Sequence, residues 1–477
     1  MRPLFCAGVC QYPTKRVFPV EKRRRVVPRK LCSFVSSAPW AEERRSFFVA
    51  WGKHSFKEVA SPCKKTSAKL PFVLLFSVGA VLFSAHAGGG FATGNQAHTY
   101  YVGLGWLGPV SAVGAMLLLT LTMREAMLMV NSRGLTSYKE LFKTLYHPFD
   151  KLWVLFEIFF YIMVLMAVAA AISGAASALT EYFGLNYYVG IGLVGLVVLC
   201  LTIFGADLVR MASTYMGIAI LVTAVAIYGV GIAWRGNLQE VLWQDFATQG
   251  FDNVPQAILN CFTYAGFQCV TLPTMIACGT PLTTRKACSR SMWLSFGMNA
   301  VALVLSIFML LSWQGFYTSV EGGTVIPTLT VCREMGMGWL TVVYGVCLLL
   351  CLISTGVTTT FGFVARFEKL PLFRKISFAP ARSAVVAAFI IVLSMTISLV
   401  GLSNIIKYGY GYCGYFAIAV VILPFLTVGV YKNRKYLKEH PEAQGRSYEE
   451  AVKAHQAAEP EEDPLPAPAG NLKKEGC

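Results

Sequence analysis

Hydrophobic runs alternate with short polar loops along most of this sequence. Ten apolar runs cover residues 71–101, 105–130, 152–179, 187–204, 211–234, 254–278, 291–313, 338–364, 384–402 and 408–431. A helix of about 20 residues crosses the roughly 30 Å hydrocarbon core of a bilayer, and most of these runs reach that length. The pattern therefore predicts an all-α integral membrane protein, with ten transmembrane helices in one domain at residues 71–435.

The first run loses its apolar character before it is long enough to cross a bilayer. Residues 71–83 are apolar, but His86, the triple glycine at 88–90 and the polar stretch 93–96 follow. Consecutive glycines favour an unwound segment whose peptide groups lack helical partners. Lipid cannot satisfy such groups, and transporters place substrate and ion sites at breaks of this kind. The alternative is that the glycines only permit a close helix crossing.

The sixth run is interrupted by polar and helix-breaking residues. These are Thr263, Tyr264, Gly266, Gln268 and Pro273. The run holds the place in the second five that the first run holds in the first five, so two halves related by inversion are expected, with broken first and sixth helices. Substrate is then expected between the first, sixth, third and eighth spans. A proline-kinked packing helix is the alternative.

The composition agrees with a membrane protein. Hydrophobic residues make up 55% of the chain and charged residues only 14%, whereas about a quarter of a soluble domain is charged. The net charge of +16 does not indicate nucleic acid binding, because the basic residues lie in short loops and in the first 70 residues. No motif of a catalytic or phosphate-binding site stands out, so no enzyme is predicted. The expected partners are membrane lipid and a small-molecule substrate.

Basic residues in the loops predict the orientation of the spans. One alternate set of loops carries Arg124, Arg133, Lys139, Lys143, Lys151, Arg210, Arg285, Lys286, Arg290, Arg366, Lys369, Arg374, Lys375 and Arg382. The opposite set carries only Arg235, Arg333 and Lys407. Because cytoplasmic loops are enriched in Lys and Arg, the first set is expected inside, together with both termini.

Two terminal segments are expected outside the membrane domain. Residues 1–70 are basic and contain no long apolar run, which predicts a disordered cytoplasmic arm. This arm either contacts anionic lipid or has no function of its own. Residues 436–477 become rich in proline and charge, which predicts a disordered cytoplasmic tail.

Two titratable side chains lie within apolar runs and each has two interpretations. His86 is either a pH-sensitive site residue or a hydrogen-bonded packing residue. Glu157 is either a proton carrier or gate partner, as carboxylates inside membranes often are, or a structural partner of nearby Lys151.

Both interrupted runs resemble a known family. Residues 88–96, GGGFATGNQ, resemble the GAGFASGQE signature of YkvI-type bacterial membrane proteins, and residues 264–273 resemble that family's sixth-span pattern. The family is similar to the amino acid, polyamine and organocation transporter superfamily. The resemblance implies its LeuT-like fold, a five-plus-five inverted repeat, and secondary transport across a bacterial inner membrane. Gln96 replaces the acidic residue of the signature, which removes a carboxylate that would carry a proton or balance a cation.

The sequence thus predicts a secondary active transporter of a small polar or zwitterionic solute, of the amino acid or amine class. The rival interpretation is a membrane sensor or scaffold that retains the fold without transport. The expected substrate-binding residues are Gly88, Gly89, Gly90, Thr93, Asn95, Thr263, Tyr264, Gly266 and Gln268. Backbone amides at the start of the helix after Gly90 are expected to face an anionic group of the ligand.

Sodium is the candidate coupling ion, and no other cofactor is expected. Adjacent hydroxyls of Ser354 and Thr355 lie midway along the eighth run. In sodium-coupled members of the superfamily, a Ser/Thr pair at this place joins carbonyls of the first span around the ion. The resemblance therefore implies a site with the carbonyls near Ser84 and Ala87. The alternative is that both hydroxyls bond back to carbonyls of their own helix.

The loop charges lead to a topology prediction. We expect residues 235–253 to face outward and residues 285–290 to face inward, because only the second loop carries enough Lys and Arg to be kept on the cytoplasmic side. In a background without native thiols, an impermeant maleimide should label Glu240→Cys from outside and Lys286→Cys from inside. Labelling of Glu240→Cys from the cytoplasmic side alone would contradict the number of spans.

Overall fold

The described part of the chain is helical. The computed structural model describes residues 72–204, 222–367 and 379–458, and no strand occurs within these ranges. The predicted N-terminal arm and the tail after residue 458 lie outside the described residues. The helices are α1 (Phe72–His86), α2 (Gly89–Ala92), α3 (Asn95–Tyr100), α4 (Leu107–Arg133), α5 (Tyr138–Tyr146), α6 (Trp153–Phe183), α7 (Tyr187–Phe204), α8 (Val222–Arg235), α9 (Leu238–Gln249), α10 (Val254–Gln268), α11 (Leu272–Cys278), α12 (Arg285–Tyr317), α13 (Pro327–Glu334), α14 (Gly338–Phe367), α15 (Ala379–Ser398), α16 (Leu402–Glu439) and α17 (Tyr448–Ala458).

Ten apolar segments of the described chain correspond to the predicted spans. Six are long and apolar enough to cross a membrane: Leu107–Arg133, Asp150–Phe183, Val254–Cys278, Arg285–Tyr317, Gly338–Val364 and Leu402–Glu439. Four are shorter: Phe72–His86, Tyr187–Ile203, Val222–Arg235 and Arg382–Ser398. The protein is therefore a multi-pass membrane protein. The first part of the fifth run, residues 211–221, lies outside the described residues.

The first run is broken where the glycines predict it. Helix α1 ends at His86, and the chain continues through Ala87 and an extended Gly88 into α2, which has only four residues. A second turn at Gly94 leads into α3. Gly94 has a φ of +80°, and a Cβ there would lie 2.4 Å from the Thr328 hydroxyl oxygen. Only glycine fits both constraints.

Helix α1 packs closely against α12. The Ser291 hydroxyl donates to the Leu75 carbonyl at 2.8 Å. A Cβ on Gly79 would lie 2.8 Å from the Ser291 carbonyl oxygen, so this glycine permits the close approach of the two backbones. The contact holds the end of α1, with its His86, beside the middle of α12.

The sixth run is not unwound, and the prediction of a broken sixth helix is wrong for this structure. Helix α10 passes through one 3₁₀ turn, Cys269–Thr271, directly into α11. Pro273 has no backbone N–H, and this missing donor removes only one hydrogen bond of the helical ladder. Side chains satisfy neighbouring carbonyls, since the Cys269 thiol lies 3.3 Å from the Ala265 oxygen and the Thr271 hydroxyl donates to Gln268 at 2.8 Å.

Helices α10 and α16 cross at a pair of glycines. A Cβ on Gly266 would lie 2.5 Å from the Gly414 carbonyl oxygen, and a Cβ on Gly414 would lie 2.5 Å from the Thr263 carbonyl oxygen. Such contact is open only to residues without a side chain. Gly266 therefore permits the close packing of α10 against α16, and its role in the substrate-binding wall stays a prediction.

Helix α5 lies across the end of α16. The Tyr146 hydroxyl donates to the Val420 carbonyl at 2.5 Å, within a π-helical stretch of α16 at Ile418–Ile422. Burial raises the pKa of Tyr146 to about 12, so the hydroxyl keeps its proton and remains a donor at physiological pH.

The segment after residue 435 is ordered as far as the structure describes it, which corrects the predicted disordered tail for residues 436–458. Helix α17 packs on the turn after α4, where the Tyr448 hydroxyl donates to the Leu135 carbonyl at 2.7 Å. Leu437, Ala443 and Ala451 are buried in this region. A few small apolar side chains suffice for docking, and composition does not detect them.

The glycine crossing gives a stability prediction. Gly266→Ala should lower the free energy of unfolding by about 1–3 kcal/mol, because its Cβ would overlap the Gly414 carbonyl and push the helices apart. Gly297→Ala on α12 is the matched control, since nothing lies within 4 Å of a Cβ there. Melting temperatures of the detergent-solubilised variants measure the difference. Equal melting temperatures for both variants would contradict the crossing.

Candidate functional site

The break in the first span lies in the protein interior. His86, Thr93, Asn95 and Gln96 are all buried. Some peptide groups freed by the break find partners inside the segment, since the Gly88 carbonyl accepts from the amides of Phe91 and Ala92 at 3.0 Å. The break is therefore stabilised by protein contacts, as membrane depth requires.

Helix α14 satisfies two carbonyls of the break from outside. The Tyr344 hydroxyl donates to the Ala92 carbonyl, and the Cys351 sulfur lies 3.7 Å from the Ala87 carbonyl oxygen. Leu352 fills the space beside Gly89, where a Cβ would lie 2.3 Å from its Cδ2. These contacts place α14, the predicted eighth span, directly against the broken segment.

His86 joins three helices at the end of α1. Its Nδ1 lies 2.6 Å from Asn299 Oδ1 on α12, and its Nε2 lies 2.8 Å from the Tyr264 hydroxyl on α10. The Asn299 amide nitrogen donates to Ser295 at 2.8 Å, which turns Oδ1 toward the histidine. His86 Nδ1 therefore carries a proton and donates to Asn299. Of the two interpretations of His86, the hydrogen-bonded contact is what the structure shows.

Tyr264 extends this contact across the break. Its hydroxyl also lies 3.0 Å from Gln96 Oε1 on α3. Polar contacts thus run from Asn299 through His86 and Tyr264 to Gln96, and we call this series the His86 chain; the single Tyr264 hydroxyl proton goes either to His86 Nε2 or to Gln96 Oε1. It links α12, α1, α10 and α3, so it connects the helix before the break with the helix after it. In a low-dielectric interior, each member depends on its neighbours for satisfaction.

Backbone amides after Gly90 are paired within the segment, unlike the anion site that the sequence predicts. The amides of Phe91 and Ala92 donate to Gly88, and the amide of Thr93 donates to Gly89. Helix α2 is four residues long, so few peptide dipoles align in it. A Cβ on Gly90 would lie 2.5 Å from Gln96 Nε2, which shows that this glycine permits close packing against α3.

Asn95, the first residue of α3, contacts residues far along the chain. Its side-chain nitrogen lies 3.1 Å and 3.0 Å from the carbonyl oxygens of Thr324 and Val325, and 2.9 Å from the Ser403 hydroxyl. Val325 and Ser403 also line a cavity of about 320 Å³. Its lining residues are Ser177, Tyr187, Val325, Val400, Gly401, Leu402, Ser403 and Asn404. Asn95 therefore lies between this cavity and the His86 chain along α3.

Three further residues were predicted to bind substrate: Thr93, Thr263 and Gln268. Thr93 lies at the break, where its hydroxyl donates to the Gly90 carbonyl at 3.0 Å. Thr263 bonds back to Leu259 at 2.7 Å and contacts α16, so it belongs to the glycine crossing. Gln268 is buried one turn beyond Tyr264 on the same helix.

Of the predicted sodium residues, Thr355 lies beside the carbonyl end of α1, whereas Ser84 is exposed and the Ala87 carbonyl oxygen lies 3.7 Å from the Cys351 sulfur. A Cβ on Gly88 would lie 3.8 Å from Thr355 Oγ1 and 3.9 Å from the Ala85 carbonyl oxygen, so both oxygens flank this glycine. Ser354 is buried on the same turn of α14. Hydroxyl and carbonyl oxygens at the negative end of a helix fit a hard cation such as sodium. Among the described residues, no group of three or more His, Cys, Asp or Glu side chains lies together.

Three polar side chains of the site escaped the sequence analysis. Asn299, Ser295 and Tyr344 hold His86 and the broken segment in place. Asn299 and Ser295 are spaced by four within an apolar run, and this i, i+4 polar pair could have indicated a buried polar contact.

Glu157 accepts a hydrogen bond from Tyr161, one turn along α6.

Comparisons with known proteins align most of the chain with solved structures at low identity. A manganese transporter of Eremococcus coleocola, bound to an aromatic bis-isothiourea compound, has 13% identity and a TM-score of 0.48, and the match covers 84% of this chain and 94% of that chain. The inward-facing conformation of Mhp1 has 14% identity and a TM-score of 0.44, with coverages of 80% and 94%. A substrate-bound, outward-open sodium-coupled sialic acid symporter has 13% identity and a TM-score of 0.46, with coverages of 85% and 84%.

No protein-family model matches the sequence, and no curated protein matches it. The resemblance to the YkvI-type family therefore stays a prediction. The structural likenesses have identities of 13–14% and TM-scores below 0.5, and they assign neither a family nor a substrate to this chain.

The His86 chain gives a testable prediction. Tyr264→Phe keeps the ring but leaves His86 Nε2 and Gln96 Oε1 without their shared partner, so the free energy of unfolding should fall by about 1–3 kcal/mol. Tyr412→Phe, an exposed position on α16, is the matched control and should leave it unchanged. Thermal unfolding in detergent measures both. A Tyr264→Phe protein as stable as the control would contradict the hydrogen-bond chain.

Proposed function

We propose that this protein is a secondary active transporter of a small polar or zwitterionic solute, of the amino acid or amine class, with its substrate site at the break in the first span. The observation that carries the proposal is the buried break itself, bridged by the His86 chain. Broken helices at membrane depth are where secondary transporters hold their substrate and coupling ions.

The His86 chain suits a transporter because it connects two segments that alternating access moves relative to one another. His86 lies before the break and Gln96 lies after it. A polar solute that enters the break would compete for Tyr264 and Gln96, and it would replace the hydrogen bonds that hold α1 and α3 together. Substrate binding is thereby coupled to the position of α3.

The cavity next to Asn95 is the proposed path from the outer side. The turn at Gly401 and the start of α16, which contains Ser403, are expected to face outward, opposite to the basic loops. Asn95 contacts Thr324, Val325 and Ser403 and so closes α3 against that cavity. We assign Asn95 to this closure in place of direct substrate contact. The proposed location is the bacterial inner membrane, with both termini inside.

Sodium is the proposed coupling ion. Thr355 and the Ala85 carbonyl flank Gly88, and Ser354 lies on the same turn as Thr355. These residues would hold the ion between α14 and the end of α1. An ion there would draw α14 toward the carbonyl end of α1, and this links ion binding to the break. The rival hypothesis is a non-transporting sensor with the same fold and the same residues. Under that hypothesis, the protein binds a ligand but does not take it up.

The test is uptake into vesicles that contain the purified protein. Candidate solutes are first ranked by their effect on the melting temperature, since a bound ligand stabilises the folded state. The solute with the largest effect should accumulate in vesicles with an inward sodium gradient. Binding without accumulation would favour the sensor, and absence of both for all amino acids and amines would reject the proposed substrate class.

Sodium coupling has a separate test with a matched control. The Ser354→Ala, Thr355→Ala double variant should lose about tenfold or more of sodium-dependent uptake, because hydroxyl ligands of a hard cation are removed. The Thr396→Ala, Thr427→Ala double variant removes two exposed hydroxyls that bond back to their own helices, so it should behave as wild type. Equal uptake in sodium and choline buffers would reject sodium coupling but leave the transporter intact.

A further inference from the structure

A basic cavity lies at the end of the membrane domain formed by α4, α5 and the last turns of α16. Its volume is about 420 Å³. The charged residues that line it are Arg133, Lys143, Lys432, Lys435, Asp150 and Glu439. Four cations face two carboxylates, so the cavity carries an excess of positive charge. Neither the break in the first span nor the proposed transport cycle uses these residues.

Lys432 is a fixed positive charge on one wall of the cavity. Its Nζ lies 2.9 Å, 3.1 Å and 2.8 Å from the carbonyl oxygens of Thr144, Leu145 and His147. These carbonyls belong to the C-terminal end of α5, where helical partners run out. An ammonium has three N–H donors, so all of them are used. Lys432 therefore attracts an anion by charge but does not need to move to meet it.

Arg133 is held in the same way and retains donor capacity. Its Nη1 donates to Asn433 Oδ1 at 2.8 Å, and its Nη2 donates to the Lys432 carbonyl at 3.0 Å. Its guanidinium also lies 4.2 Å from the centre of the Tyr436 ring. None of these contacts uses the Nε–H. A planar guanidinium with donors to spare suits the oxygens of a phosphate group.

The rim of the cavity consists of exposed, weakly paired side chains. Lys435 Nζ lies 3.9 Å from Glu439, and both side chains are more than half exposed. Asp150 pairs with His147 at 3.1 Å, also at the surface. Lys143 is exposed. Exposed pairs of this kind contribute little, so Lys143 and Lys435 are available to turn toward an anion in the cavity.

Apolar side chains beside the cavity indicate where the anion comes from. Phe149 is 69% exposed, Leu152 is 40% exposed and Tyr431 is 66% exposed. They flank the cavity residues His147, Asp150 and Lys432 in sequence. Tyrosine rings at the ends of membrane helices typically lie at the level of lipid headgroups, and exposed apolar groups next to them face the hydrocarbon. Basic pockets at this level bind anionic headgroups.

We propose that this cavity binds a phosphate-bearing anion, and that an anionic phospholipid headgroup is its occupant in the membrane. Arg133 and Lys432 form the fixed floor of the site, and Lys143 and Lys435 close over the phosphate. Because the floor residues join α4 and α5 to α16, an occupied site stabilises the contact among these three helices.

The test compares lipid binding by two double variants of the full-length protein. Native mass spectrometry is used to titrate phosphatidylglycerol, with phosphatidylcholine as the neutral lipid. The Lys143→Gln, Lys435→Gln variant should bind phosphatidylglycerol about tenfold more weakly, because two charged contacts are lost. The Lys438→Gln, Lys453→Gln variant removes two exposed positive charges outside the cavity, and its binding should equal that of wild type.

Two further measurements separate the outcomes. The Lys143→Arg, Lys435→Arg variant keeps both charges and should retain binding, which controls for altered folding. A rise in melting temperature with inorganic phosphate, relative to chloride at the same ionic strength, that the glutamine variant abolishes would support the phosphate site. If phosphate stabilises the protein in this way but the protein binds phosphatidylglycerol no more tightly than phosphatidylcholine, the lipid is rejected as the occupant. If the glutamine and control variants lose lipid binding equally, or neither loses it, the proposed site is wrong.

Discussion

The rest of the structure depends on one constraint, which is that peptide groups freed inside a membrane must find partners within the protein. The helical ladder of α1 ends at the Ala87 amide, which donates to the Phe83 carbonyl at 2.8 Å, and the chain then turns at Gly88 in a region surrounded by buried residues. Side chains from α14 and amides of the segment itself satisfy part of the deficit. The arrangement of α10, α12 and α14 around the break follows from this requirement.

The His86 chain is the second consequence of the same constraint. A buried imidazole needs a partner at each nitrogen, and Asn299 and Tyr264 supply them from two different helices. Gln96 completes the chain with an amide, where a carboxylate would introduce a buried negative charge. A neutral amide at this position takes part in a hydrogen bond without the desolvation cost of a charge.

The opposite end of the domain is held by charge. Glu125 is buried and pairs with Arg124 at 2.9 Å. Asn433 donates to the Glu125 carboxylate at 2.9 Å and accepts from Arg133 at 2.8 Å. These bonds tie α4 to α16 where the chain leaves the apolar region. Hydrogen bonds thus hold the broken first span at the centre of the domain, and an ion pair holds α4 against α16 at its end.

Much of the architecture could be predicted from the sequence because it follows from local composition. Apolar length determines which segments cross a membrane, and three consecutive glycines break a helix in almost any context. The sixth run shows the limit of this reasoning. Its polar residues and Pro273 resemble a break, but the chain passes through a single 3₁₀ turn and stays helical, with the Cys269 and Thr271 side chains bonded to carbonyls of the same helix. Whether such a run unwinds depends on local geometry that residue types alone do not specify.

The sequence by itself therefore determined the membrane class, the positions of the apolar helices and the break at Gly88. Only the tertiary structure decided what each polar residue does. Gly266 packs against Gly414, Asn95 reaches Val325 and Ser403, and Asn299 meets His86 from a distance of more than 200 positions along the chain. Helix identity depends on neighbours within a few turns, whereas a side-chain partner across helices depends on how whole helices cross.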